Sequence, residues 1–265
     1  MSELFQKDLS RCIHETFSKA DEEILLGFLE EIDPQSIVPR SLKSISPWKS
    51  LESPGSTACC LLIQSDTVAP RPFYTIAWCG DTRAILCRNG IGTQLTSDHR
   101  VTNKKEQNRI SKVTGHDIST GRLDGSLMVT RAFGDMRHKL GCVNRLAPST
   151  MKKVMGILAT PSMRSLKKSL QNDDDRKKVV AEDALICTPE IVEGHIHIED
   201  EFILIGSDGL FDVLSNQQAV NVVRNALVEY HGNINKTVKR LVDTALKLES
   251  SDNISAVLVQ LNIKD

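Results

Sequence analysis

Aromatic residues are scarce: two Trp, two Tyr and seven Phe make up 4% of 265 residues. That leaves few flat rings for the stacking platforms that hold single-stranded nucleic acid. Excess charge of either sign is missing too, because 33 Lys and Arg face 34 Asp and Glu, a formal net charge of -1. A chain so balanced has no overall pull toward nucleic acid or an anionic membrane. No apolar run approaches the roughly 20 residues of a membrane-spanning helix. The opening MSELFQKDLS is mixed in charge and lacks the basic-then-apolar order of a signal peptide. Cys-x-x-Cys spacing is absent as well. The seven cysteines (Cys12, Cys59, Cys60, Cys79, Cys87, Cys142 and Cys187) are an odd set, several of them inside apolar runs such as ACCLLI and IAWC. They read as reduced core thiols in a reducing compartment. The expectation is a soluble monomer of the cytoplasm or nucleus that binds neither nucleic acid nor membrane.

What is present reads as layered secondary structure. Phe5, Leu9, Ile13 and Phe17 at four-residue spacing predict an amphipathic helix. Asp21 is expected to cap a second helix with Ile24, Leu25 and Phe28 on its inner face. Residues 31–56, rich in Pro and Ser, read as a loop. TACCLLIQ, PFYTIAWCG and RAILCRNG read as strands, the last closing in an Asn-Gly hairpin turn. TNKKEQNRI reads as an exposed helix, and Asp124-Gly125 as a second hairpin turn.

Residues 145–183, with Lys/Arg pairs, two prolines and the run NDDDRKK, read as a mobile surface insertion in a single domain spanning 1–265. Beyond it, Ser215 and Gln218 form a capping box for a helix with Ala219, Val220, Val223, Leu227 and Tyr230 inward. Another helix follows with Val238, Leu241, Val242 and Ala245 inward. NISAVLVQL, apolar on both alternating faces, is expected to be a central strand. Strands and helices that all have faces to bury imply an α+β fold of sheets covered by helices.

Four acids stand where strand-like runs stop or start. Asp208 ends FILIGSD, Asp212 lies four residues on, Asp252 precedes the last strand, and Asp98 follows another. Each alone is more often a turn former or a helix cap than a metal ligand. Gathered at one sheet edge they would repel one another unless a cation offset them, and oxygen ligands suit hard cations such as Mg²⁺ or Mn²⁺. Spacing alone leaves both readings open.

The order of motifs adds a resemblance. GSTACCLLI, AWCGDTRAILCRNG, LTSDHR with EQNRI after it, GRLDGSLMVTRAFGD, TPEI, DEFILIGSDGLFDVLSNQQAV and SSDNISAVLVQ run through most of residues 55–262. In that order they resemble the metal-dependent serine/threonine phosphatases of the protein phosphatase 2C, or PPM-type, family. The resemblance implies a four-layer α-β-β-α sandwich of two antiparallel sheets flanked by helices. It also implies two Mn²⁺ or Mg²⁺ ions and hydrolysis of phosphoserine and phosphothreonine in phosphoprotein substrates by a metal-activated water. Asp208 and Asp252 resemble ligands of one metal of the pair, and Asp98 and Asp212 those of a weaker third site. By the same resemblance, Arg131, Phe133 and Gly134 position a loop near the site.

The family's N-terminal third has no counterpart in these 265 residues. It supplies a phosphate-binding Arg, an acidic pair near the first strand, and the sequence DGHGG with its metal-bridging Asp and proton-donating His. The expectation is therefore an N-terminally incomplete sandwich whose catalytic residues are unknown. Three readings follow: a phosphatase lacking its start, a pseudophosphatase that serves as a protein-binding module, or an inactive truncated fragment.

Overall fold

Alternation is what turns DEFILIG into the middle of a sheet. Successive side chains of a strand point to opposite faces, and in Asp200–Gly206 both faces are apolar: Phe202 and Leu204 on one, Ile203 and Ile205 on the other. The computed structural model describes residues 3–31, 54–65, 72–112, 117–135, 138–139 and 184–261. Its strands are β1 (Gly55–Ser56), β2 (Ala58–Gln64), β3 (Phe73–Cys79), β4 (Arg83–Arg88), β5 (Ile91–Gln94), β6 (Phe133–Gly134), β7 (Glu190–His195), β8 (Asp200–Gly206) and β9 (Ala256–Gln260). Its helices are α1 (Glu3–Glu31), α2 (Lys104–Ile110), α3 (Asp208–Phe211), α4 (Asn216–Glu229) and α5 (Ile234–Lys247). Two compact units emerge. One comprises Met1–Ser10, Ala58–Asp98 and Pro189–Asp265, the other Arg11–Thr57 and His99–Thr188.

In the first unit, β2-β3-β7 and β5-β4-β8-β9 form two antiparallel sheets. Tyr74, Ile76 and Trp78 of β3 pack against Ala84, Leu86, Ile203 and Ile205 of β4 and β8, so the sheets meet face to face. The other face of the four-stranded sheet, with Ile85, Cys87, Phe202 and Leu204, is covered by Ala219, Val220 and Val223 of α4 and by Leu241 and Ala245 of α5. Sheet, sheet and helices thus stack in layers, and the α+β class with antiparallel sheets is as expected. The Asn89-Gly90 turn between β4 and β5 has φ of 48° and 76°, the doubly left-handed pair that a two-residue hairpin demands. Ser215 accepts from the Gln218 N–H while Gln218 reaches back to the Ser215 N–H, the capping box anticipated for α4. One expectation is corrected. Among the described residues β9 stands at the end of its sheet, paired with β8, and Val257 is 56% exposed. Its apolar alternation reflects burial of Leu258 on one face rather than a central position.

In the second unit, α1 runs unbroken to Glu31, so Asp21 does not cap a second helix. Ile13, Phe17, Asp21 and Leu25 form one buried stripe at four-residue spacing, and Ile24 faces outward at 42% exposure. Asp21 is buried inside this helix and has a partner, described below. Phe17 stacks near Phe133, with ring centroids 5.2 Å apart. Val101, Ile110, Leu123, Ala132, Ala184 and Leu185 make a separate core. The Asp124-Gly125 turn is present with φ of 50° and 73°. α2 is not fully exposed as anticipated, because Glu106 and Ile110 are buried. The insertion at 145–183, Cys142, most of the loop at 31–56, and the side chains of Phe5 and Phe28 lie outside the described residues. Among the described residues no helix is long and apolar enough to cross a membrane.

Candidate metal centre

Antiparallel pairing decides which turns meet. Gly206, the last residue of β8, stands opposite Arg83 at the start of β4 and Ala256 at the start of β9. The turn that leaves β8, the turn that enters β9 and the Arg83 side chain therefore share one end of the four-stranded sheet.

Hydroxyl groups stitch the two turns together. Ser207 stands at the N-cap of α3 without capping it. Its Oγ instead donates to the Asn253 carbonyl at 3.1 Å and accepts from the Ser255 N–H at 3.0 Å. Ser250 Oγ donates to the Gly209 carbonyl at 2.6 Å. Glycine is required at 209 by closeness: a Cβ there would sit 2.5 Å from the Asn253 carbonyl oxygen and 3.3 Å from Asp252 Cβ.

The acids are carried on this stitched pair. Asp208 is half-buried and opens α3, with Oδ1 accepting its neighbour Gly209 N–H at 2.8 Å. Asp252 is exposed and does the same with Asn253 N–H at 2.7 Å. Asp212, also exposed, follows one turn after Asp208, and its N–H donates to the Asp208 carbonyl at 2.8 Å. Asp98 lies at the same sheet end but is held differently. Arg83 Nε donates to its Oδ1 at 3.2 Å and Nη2 to its Oδ2 at 2.6 Å, a two-point ion pair. Arg83 also donates from Nη1 to Asn216 Oδ1 at 3.1 Å and lies over the Phe211 ring, 5.0 Å from its centroid.

Two carboxylates on adjoining turns match what a hard divalent cation takes from a protein before water and phosphate complete its shell. Asp208 and Asp252 fit that donor set. Both oxygens of Asp98 are instead bonded to Arg83. Among the described residues no group of three or more His, Cys, Asp or Glu is gathered to hold an ion. Arg83, Ser207 and Ser250 were not singled out from sequence, although GDTR and GSDG carry two of them. A motif names a residue type and is silent about its hydrogen-bond partner.

The second unit concentrates its buried charge around two hubs. Glu106 accepts from Arg131 Nη2 at 2.7 Å, from Arg109 Nη2 at 2.9 Å and from Thr130 Oγ1 at 2.8 Å. Arg131 also donates to the Thr188 carbonyl at 3.0 Å, and Arg109 to the Ala184 carbonyl at 2.8 Å. Arg131 is thus a buried brace that ties α2 to residues 184–188. The second hub is Asp21, whose Oδ1 accepts from Lys139 Nζ at 2.6 Å and from the Gly134 N–H at 2.8 Å. Nearby, His138 bridges the Asp124 turn, with Nδ1 3.1 Å from Asp124 Oδ2 and Nε2 3.3 Å from Ser126 Oγ.

The family model described as protein phosphatase 2C matches residues 2–254. The chain is 33% identical over 186 residues to Probable protein phosphatase 2C 22 of Arabidopsis thaliana, covering 70% of this chain and 39% of that protein. It is 32% identical over 209 residues to Protein phosphatase 1B of Rattus norvegicus, covering 79% and 43%. The chain therefore spans less than half the length of these two relatives. Among solved structures, a sex determining protein of C. elegans superposes with a TM-score of 0.54 at 22% identity, covering 78% of this chain and 40% of that one. A phosphatase from Toxoplasma gondii gives 0.50 at 18% identity, covering 78% and 65%. At those identities the likeness is one of fold.

Proposed function

The chain belongs to the protein phosphatase 2C family, and from that membership we propose that it takes part in metal-dependent hydrolysis of phosphoserine and phosphothreonine in proteins of the cytoplasm or nucleus. Asp208 and Asp252 hold one Mn²⁺ or Mg²⁺ ion, with Asp212 beside them. The observation that carries this is the stitched pair of turns, because hydroxyls of Ser207 and Ser250 fix two carboxylate-bearing loops against each other. Bound there, a divalent cation supplies charge for a phosphate and acidity for a water.

The chain's own contribution is placement. Each acid turns one oxygen back to the next N–H of its own loop, which orients the carboxylate. Gly209 lets the Asp252 loop approach the start of α3 within van der Waals reach. The Arg, bridging Asp and His of the family's N-terminal third have no counterpart here. The proposal therefore covers the part of the centre that these residues supply.

A second reading, a phosphatase-like module that binds a partner protein without turnover, is favoured by the Arg83–Asp98 pair. That pair occupies both oxygens of an acid expected to meet a metal. One experiment decides between them: Mn²⁺ binding to the full chain together with phosphate release from a phosphothreonine peptide. Mn²⁺ binding and Mn²⁺-dependent release, both lost in Asp208→Asn and Asp252→Asn, support the hydrolase. Binding without release supports the module. No binding by the wild type removes the metal centre from both readings.

A further inference from the structure

We propose that the guanidinium of Arg83 is the resident cation of Asp98, so that Asp98 is a positioning residue and takes no divalent ion while Arg83 is in place. The proposal rests on the reading of this sheet end as a cation site, and it assigns an acid there whose two oxygens are both bonded to a guanidinium.

The placement of Arg83 is over-determined. It begins β4, donates through Nε and Nη2 to Asp98 beyond β5, donates through Nη1 to Asn216 at the start of α4, and lies over Phe211 of α3. Four segments fix one planar group. Both partners of the pair are mostly withdrawn from solvent, each with 19% of its side chain exposed. A guanidinium stays charged at any pH a protein survives, and its fork matches a carboxylate at two points.

A metal arriving at Asp98 has to take oxygens already bonded at 3.2 and 2.6 Å. It would also lie beside a fixed positive charge with nowhere to move, since Nη1 and the guanidinium face are held by Asn216 and Phe211. Like charges at such a separation repel strongly where solvent is thin. Arg83 therefore supplies the positive charge that Asp98 would otherwise take from a metal.

The test counts Mn²⁺ bound per full chain from loss of the free-ion electron paramagnetic resonance signal. It compares wild type, Asp98→Asn, Arg83→Gln and the double variant, each first checked for folding by circular dichroism. Asp98→Asn should bind as many ions as the wild type. Arg83→Gln should bind one more, and the double variant should lose that extra ion. A Mn²⁺ lost in Asp98→Asn, or none gained in a folded Arg83→Gln, overturns the proposal. If Arg83→Gln does not fold, the Asp98→Asn count decides alone. Failure of the broader cation reading shows elsewhere, as a Mn²⁺ count unchanged in Asp208→Asn and Asp252→Asn, and leaves the Arg83 comparison intact.

Discussion

Lys139 Nζ lies 2.6 Å from Asp21 Oδ1, a buried ion pair whose members are 118 residues apart in sequence. The ammonium also donates to the Ala132 carbonyl at 2.6 Å, and the carboxylate accepts the Gly134 N–H. Breaking such a pair from one side leaves a charge without compensation and costs about 3–5 kcal/mol. Lys139→Met and Asp21→Asn should each lower stability by that order in urea unfolding. The double variant should recover at least half of the worse loss, because no buried charge remains and Asn still accepts from Gly134. A double variant no better than its worse parent would show that the two residues are not coupled.

Glu106 makes part of the stability depend on acid. Burial alone would push its carboxyl up, but hydrogen bonds and charge from Arg131 and Arg109 outweigh burial and hold it down at about 2, against an ordinary 4.5. The unfolded chain therefore takes up this proton at higher pH than the folded chain does. The contribution is fully present above about 4.5 and drains away as pH falls from there toward 2. Over that span it amounts to at most about 3 kcal/mol. Urea midpoints measured between pH 7 and pH 3 should fall more steeply for the wild type than for Glu106→Gln. Parallel curves would place the acid sensitivity in other carboxylates.

Cysteine reactivity should divide by burial. The sequence suggested core thiols throughout, yet Cys12 and Cys60 are exposed. Burial, with Cys60 next door, pushes the Cys59 thiol up to about 12. Burial and then the Asp21 charge push Cys187 up to about 12, and burial and then Glu201 push Cys87 up to about 11. The thiolate is the reacting species, so these three stay inert at neutral pH. Brief iodoacetamide treatment of the folded chain followed by peptide mapping should find label on Cys12 and Cys60 well before Cys59, Cys87 or Cys187. Early label on Cys187 would contradict the raised thiol of this half-buried residue beside Asp21.

These contrasts mark where sequence was readable. Turns at Asn89-Gly90 and Asp124-Gly125, the Ser215–Gln218 cap and the two-faced core of β8 depend on neighbours within a few residues, and all are present. Asp21 was misread because an acid in an apolar stripe looks like a helix boundary, and its partner is far along the chain. The edge position of β9 is a property of pairing and leaves no mark in the strand itself. At the candidate site, strand ends placed Asp208 and Asp252 on one sheet edge. The partner of Asp98 is Arg83, fifteen residues earlier, and an acid's position after a strand does not distinguish a metal ligand from half of an ion pair.

The closeness of the two carboxylate turns rests on Gly209, and the same substitution at two glycines isolates that role. At Gly209 a Cβ would stand 2.5 Å from a backbone oxygen, that of Asn253, which has no flexible end to swing aside. The Asp252 loop must then retreat from α3, straining the Ser207 and Ser250 bonds that cross between them. Forced overpacking of this kind costs about 1–3 kcal/mol. Its effect on a cation held between the loops should be a loss of about tenfold or more in Mn²⁺ affinity, tenfold being about 1.4 kcal/mol. At Gly27, inside α1, an added Cβ meets nothing within 4 Å. Alanine in a helix interior is favoured over glycine by up to about 1 kcal/mol. Gly27→Ala should therefore leave Mn²⁺ affinity unchanged and raise the melting temperature slightly, while Gly209→Ala lowers both. Equal Mn²⁺ affinity in the two variants would mean that Asp208 and Asp252 do not act on one ion.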